Sequence, residues 1–307
     1  MLKYCENMTR YERFQTRTVN IGGLPLGSNH PIRVQSMTTT NTLDIKATVE
    51  QSMKIIDAGS DYITINNYAV TKPLLARKNL ENEFKDLTEK AIDLAKEAIL
   101  SKGSNTKIAA SFPPLETSYR PDLVPSKKIL QNYYAEFAET LTGKVDFIIC
   151  ETMTTAEEGR IALEMAKRTN LPVWLGWTLM GNRLNKLPSG ENLLDATKYC
   201  LDLSPDAVLL NCCGINLITE GLKELQKLQL EIPVGGFANN ERINKFSDTD
   251  SIVTNAEEIH YMNSSEVNEL EYLEEVKKWI EQGATIVAGC CRTRPSHIKV
   301  IKDAING

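Results

Sequence analysis

Apolar and β-branched residues gather in eight short runs, at 32–37, 61–66, 107–112, 145–151, 172–178, 206–212, 232–237 and 284–290. Each run is nearly continuous in its hydrophobicity, the pattern of parallel strands buried on both faces. Between the runs, apolar residues recur every three or four positions. That spacing predicts helices over 44–58, 72–101, 125–142, 156–169, 192–203, 216–228, 266–282 and 295–305. Thr154 and Thr155 stand just ahead of the fourth helix as candidate N-caps. Strand then helix, eight times and without a linker-like stretch, predicts a single (β/α)8 TIM barrel over residues 1–307. A doubly wound open sheet would carry a glycine-rich phosphate turn after its first strand. Met37-Thr38-Thr39-Thr40 stands there instead.

Composition agrees with a large enclosed core: 307 residues, 42% hydrophobic and 24% charged. The 35 Lys and Arg against 40 Asp and Glu give a formal net charge of -5. Without a basic block, such a chain is a poor partner for nucleic acid. No window approaches the ~18 consecutive apolar residues of a membrane span, and residues 1–15 lack the apolar core of a secretion signal. The expectation is a cytoplasmic protein that acts on small molecules.

That compartment changes the reading of the cysteines, because disulfides are rare where thiols are kept reduced. The seven stand at Cys5, Cys150, Cys200, Cys212, Cys213, Cys290 and Cys291. The number is odd and four form two adjacent pairs, so metal binding or catalysis is the better use. Cys5, Cys150 and Cys200 read as small core hydrophobes. The two pairs close the sixth and eighth runs, which in a barrel is the rim that carries the chemistry. Soft thiolates select zinc, Cu(I) or iron–sulfur clusters. Three protein ligands with a fourth position open is the arrangement of a catalytic zinc. Three thiolates on Zn²⁺ leave a net charge of −1, which favours binding a substrate thiol over making hydroxide. The chemistry points to transfer of a group onto sulfur.

Several ordered stretches then resemble one family. They are Ala58–Tyr68, Ser111–Leu115, Ser118–Asp122, Cys150–Met153, Ser189–Glu191, Asn211–Cys212, Gly235–Asn239, and Gly289–Cys291 with Pro295–Ile298. Over about residues 58–305 the chain resembles the homocysteine S-methyltransferases. The resemblance implies a zinc ion held by Cys212, Cys290 and Cys291, with the homocysteine sulfur as fourth ligand. Cys213 matches a variable position, expected to pack or to face the loop. Glu151 matches the acidic residue near the substrate ammonium, and Asn66 and Asn239 match polar rim positions. A chain of 307 residues is too short to carry folate and cobalamin modules as well, so the expected donor is a small sulfonium, S-methylmethionine or S-adenosylmethionine, with betaine as the alternative.

The first sixty residues differ. The family opens with a strand ending in Asp-Gly-Gly, whose acid lines the amino-acid pocket, and no such triplet precedes Ala58. Thr16–Gly23, Pro31–Thr38 and Thr40–Asp44 instead resemble the start of hydroxymethylbutenyl diphosphate synthase, an iron–sulfur enzyme of isoprenoid synthesis. This leaves an atypical first βα unit at about 16–58, with Gln35 and Ser36 expected at the rim in place of the missing acid. Two further readings stand beside the methyltransferase: a non-catalytic zinc- or thiol-binding barrel, and an iron–sulfur reductase of the isoprenoid type. The segment 240–265 reads as a lid or a plain loop. His30 and His260 fall in loops, His297 reads as a surface residue, and Arg292 is expected to meet a substrate carboxylate or a neighbouring acid.

Overall fold

The computed structural model describes residues 16–38, 40, 44–179, 183–244 and 264–306. Cys5, His260 and most of the segment 240–265 lie outside them. The chain opens with β1 (Val19–Ile21) and β2 (Leu24–Leu26) and then alternates. The remaining strands are β3 (Arg33–Met37), β4 (Tyr62–Thr64), β5 (Lys107–Phe112), β6 (Phe147–Met153), β7 (Val173–Trp177), β8 (Ala207–Gly214), β9 (Val234–Asn239), β10 (Arg242–Ile243), β11 (Ser264–Ser265) and β12 (Ile286–Gly289). The helices are α1 (Ile45–Asp57), α2 (Lys72–Ala76), α3 (Phe84–Lys102), α4 (Lys127–Leu141), α5 (Ala156–Ala166), α6 (Leu193–Cys200), α7 (Ile215–Leu225), α8 (Glu269–Glu281) and α9 (Pro295–Asn306). β3 to β9 and β12 close into a barrel in the order β12-β3-β4-β5-β6-β7-β8-β9, with every described pairing parallel. This is the (β/α)8 TIM barrel that the eight runs predict.

Alternation along each strand divides the core in two. Val208, Leu210, Ile148 and Val287 point outward and pack against the helices. Tyr62, Phe147, Trp174 and Phe237 point inward and fill the lower barrel. Phe147 and Trp174 meet at 4.3 Å between ring centroids, and Tyr62 stands edge-on to both. Aspartates just ahead of alternate strands lock the register at this end. Asp61, Asp146 and Asp206 each accept a backbone N–H from the preceding barrel strand, at Val34 (2.9 Å), Ile108 (2.7 Å) and Val173 (2.9 Å).

Periodicity alone misses the β1–β2 hairpin, whose strands are three residues each. Gly22 and Gly23 both have positive φ, 53° and 91°, which is what a two-residue hairpin turn demands. Val19, Ile21 and Leu26 are buried against the inner core, and Arg33 donates to the Pro25 carbonyl oxygen (2.8 Å). The hairpin therefore stoppers the barrel at the N-terminal ends of its strands.

The single helix expected over 72–101 is two. α2 ends at Ala76, and Asn79 turns left-handed (φ 58°) before α3 begins at Phe84. The apolar spacing continues across the break, which is why periodicity runs through it. Thr155 caps α5, accepting from the Glu158 N–H (3.0 Å), while the Thr154 hydroxyl bonds the Glu158 carboxylate (2.8 Å). Among the described residues, no helix is long and apolar enough to cross a membrane.

Candidate metal centre

At the opposite end, two strands break their alternation and so aim consecutive residues into the mouth. On β8, Ala207 and Leu209 face inward and Val208 and Leu210 outward. Regular alternation would send Cys212 outward and Cys213 inward. Instead Cys212 takes a left-handed φ of 56°, and the pairing with β9 slips between Asn211 and Gly214. This bulge re-aims the side chains. Cys212 joins the inner core, whereas Cys213 packs in the outer one; burial there pushes the Cys213 thiol up to about 12.

β6 does the same. Thr152 has φ 61°, and the pairing with β7 shifts between Cys150 and Met153. Glu151 and Thr152 both reach Asn211 on β8. The Asn211 side chain accepts the Thr152 N–H (2.9 Å) and donates to the Thr152 hydroxyl (2.9 Å) and to a Glu151 carboxylate oxygen (3.3 Å). One fully buried amide thus clamps both bulges together. It fits because residue 176 on the intervening β7 is glycine: a Cβ there would lie 2.8 Å from the Asn211 amide oxygen.

Cys290 and Cys291 follow β12 in a tight turn. The Cys290 N–H donates to the Ala238 carbonyl oxygen (2.8 Å), and the Thr293 hydroxyl and N–H both return to the Cys290 carbonyl oxygen (2.6 and 3.2 Å). The Asn240 N–H holds the Cys291 carbonyl oxygen (2.9 Å). The outcome is that the sulfurs of Cys212, Cys290 and Cys291 lie within 4.8 Å of one another. The Cys212 and Cys291 sulfurs are 3.7 Å apart, close to the ~3.8 Å edge of a tetrahedron with zinc–sulfur bonds of ~2.3 Å. Cys212 and Cys290 are buried and Cys291 is exposed, so the trio is closed on one side and open on the other. Hydrogen bonds from Cys212 and Cys290, with the nearby Arg292 charge, hold the Cys291 thiol well below its usual range. Three soft donors at this spacing fit zinc.

The surrounding polar groups form a second ring. Glu151 is almost fully buried, with one carboxylate oxygen lacking a partner. Burial raises it to about 7, against the lowering influence of the Ser111 hydroxyl and with a further push from Cys291. Asn239 bonds Glu241 (3.0 Å) and leaves its own side-chain oxygen unpartnered and buried. Asn66 is half-buried beyond β4; its neighbour Asn67 makes the structural bonds, to both the N–H and the carbonyl oxygen of Ser111 (3.0 and 2.8 Å).

Two expectations need correction, and a third resolves between its alternatives. Gln35 is not at the rim: it is fully buried at mid-strand, its amide donating to the Thr64 hydroxyl and the Ser36 carbonyl oxygen. Two residues of β3 follow it. His297 is not a surface residue. It is 3% exposed, accepts the Arg294 N–H (3.2 Å) and lies edge-on to Tyr272, because the first turn of α9 tucks under α8. Of the two partners considered for Arg292, the neighbouring acid is the one present, as an ion pair with Glu241. The residues that reading the sequence misses are Asn211, Thr152 and Tyr119. Two of these, like Cys212, sit at left-handed φ, which no hydropathy pattern encodes.

A family model described as homocysteine S-methyltransferase matches residues 28–305. The fold is similar to that of the homocysteine methyltransferase MmuM from Escherichia coli. Its metallated form superposes with a TM-score of 0.71 at 19% identity, over 90% of this chain and 96% of that one. Its apo form gives 0.66 at 18% identity, over 90% and 97%. A short stretch has different relatives. It is 52% identical over 63 residues to the chloroplastic, ferredoxin-type 4-hydroxy-3-methylbut-2-en-1-yl diphosphate synthase of Oryza sativa. It is 48% identical over 63 residues to the flavodoxin-type enzyme of Protochlamydia amoebophila. These matches take in 20% of this chain but span only 8% and 10% of those proteins.

Proposed function

Because the chain belongs to the homocysteine S-methyltransferase family, we propose that it moves a methyl group from a small sulfonium, S-methylmethionine or S-adenosylmethionine, onto homocysteine to give methionine. The observation that carries the reading is the convergence of Cys212, Cys290 and Cys291 at the open end of the barrel. These three would hold zinc, which when bound keeps a substrate thiol deprotonated at neutral pH yet rich enough in electrons to attack carbon.

The remaining residues bind and orient. The unpartnered Glu151 oxygen supplies an acceptor for the substrate ammonium, and the arriving positive charge favours its ionised form. Asn211 fixes the direction of that carboxylate. The Asn239 oxygen and Asn66 give further polar contacts along the rim. Holding thiolate and methyl carbon in line at ~3 Å accounts for much of the rate such a site gains. As the new S–CH3 bond forms, the donor's C–S bond breaks and its electron pair leaves with the donor as a neutral thioether.

Metal analysis and a methionine assay test the reading together. The purified protein should carry about one zinc per chain and form methionine from homocysteine and one of the two sulfonium donors. Cys290→Ala should lose both. Zinc with no methionine from either donor would identify a binding barrel without catalysis. Iron, with a brown colour and broad visible absorption, would favour the isoprenoid-type chemistry of the short-stretch relatives.

A further inference from the structure

Tyr119 reaches the metal centre from the loop that follows β5. Its left-handed φ of 64° turns the ring into the barrel mouth, where it packs on the inner core beside Cys212. The hydroxyl lies 2.9 Å from the Cys212 sulfur and 2.6 Å from the Cys212 carbonyl oxygen. A phenol has one proton to give and here has two acceptors. The carbonyl has a second donor, the Thr178 hydroxyl at 3.3 Å. The tyrosine proton can therefore pass to the sulfur without leaving that carbonyl bare.

We propose that Tyr119 is a positioning residue that donates a hydrogen bond to the Cys212 sulfur while that sulfur serves as a ligand, and so holds Cys212 back as a nucleophile. The inference rests on the metal-site reading above. It answers a difficulty built into that reading. A centre with three protein thiolates and one substrate thiolate offers a methyl donor four sulfurs, of which only one gives product. An O–H donor on a thiolate draws on the lone pair that would form the S–CH3 bond, and bonds to charged acceptors are the strong ones. Cys290 is shielded by burial at 2% exposure. For Cys212 the structure supplies a hydroxyl as well.

The test uses the full chain loaded with cobalt(II), whose sulfur-to-metal charge-transfer band reports the electron richness of the ligands. Tyr119→Phe should shift this band to longer wavelength. Replacing Tyr119 by 3-fluorotyrosine, a stronger donor of the same shape, should shift it to shorter wavelength. In the zinc-loaded protein, Tyr119→Phe should raise alkylation of Cys212 by iodoacetamide about tenfold, read by peptide mass spectrometry, as expected for loss of one charge-assisted hydrogen bond. Thr178→Val leaves the Cys212 carbonyl to Tyr119 alone, and should move band and rate in the same direction as Tyr119→Phe but by less. A band that stays fixed in both tyrosine variants, or moves as far in Thr178→Val, overturns the proposal. If Tyr119→Phe does not fold, the fluorotyrosine shift alone decides. A native protein with no thiolate charge-transfer band would instead refute the metal site itself.

Discussion

The Asn211 clamp makes a sharp prediction about stability. Asn211→Leu keeps the volume but removes every hydrogen bond of the side chain. The Thr152 N–H, the Thr152 hydroxyl and one Glu151 oxygen then lose a partner inside the barrel. An unsatisfied buried polar group costs ~1–3 kcal/mol, and a β-branched residue at left-handed φ adds ~1–2 kcal/mol of strain that the clamp no longer offsets. Some relaxation follows, so the net loss is set at about 3 kcal/mol. With an unfolding entropy of ~2.1 cal/mol/K per residue, a chain of this length should lose about 5 °C in Tm. The measurement is a calorimetric melt under reducing conditions, metal-free and zinc-loaded. Thr152→Gly supplies the control, since glycine tolerates the left-handed conformation and has no hydroxyl to orphan. In that background the Asn211→Leu penalty should shrink by at least ~1 kcal/mol, a coupling expected only of residues in contact. A Tm drop below ~1 °C, or a penalty equally large in both backgrounds, would refute the clamp.

Three further predictions concern the same architecture. Glu151 titrates near 7 in the folded protein because burial disfavours its charge, so the native state holds a proton that the unfolded chain has released. Stability should fall as pH rises from about 4.5 to about 7 and then level off, by on the order of 3 kcal/mol. Glu151→Gln should lack this slope in pH-dependent melts of the metal-free protein, and a constant difference from wild type would exclude the carboxylate as its source. Gly176→Ala drives a methyl group against the Asn211 amide; it should lower zinc content and methyl transfer together, and full zinc occupancy would count against the clamp's role in aiming Cys212. Ile21→Ala removes a fully buried side chain from the hairpin and should cost ~2–4 kcal/mol in urea unfolding, whereas a loss below ~1 kcal/mol would mean that the hairpin is not docked.

What the sequence reveals and what it hides divide along physical lines. Burial on both faces writes itself into composition, so β5 and its seven companions in the barrel are legible as hydrophobic runs. The turn beyond β12 is legible as well, because a doubled cysteine next to glycine and arginine has few structural uses. Which of Cys212 and Cys213 faces the mouth is not legible. One left-handed backbone angle decides it, and Asn211, 60 residues along the chain from Glu151 and so about 200 Å away when fully extended, stabilises the choice only after folding. The break between α2 and α3 is hidden for the same reason: Asn79 turns the chain without disturbing the apolar spacing on either side. The burial of His297 depends on how α9 docks against Tyr272, a tertiary fact with no local signature.

The glycine-turned hairpin at the foot of the barrel has a consequence for traffic. With Val19, Ile21 and Leu26 corking that end, the described residues leave the approach to the barrel at the other end, where the cysteines stand. Under the proposed methyl transfer, acceptor, donor and both spent molecules would share this threshold, and whichever guest is lodged deepest would arrive first and depart last.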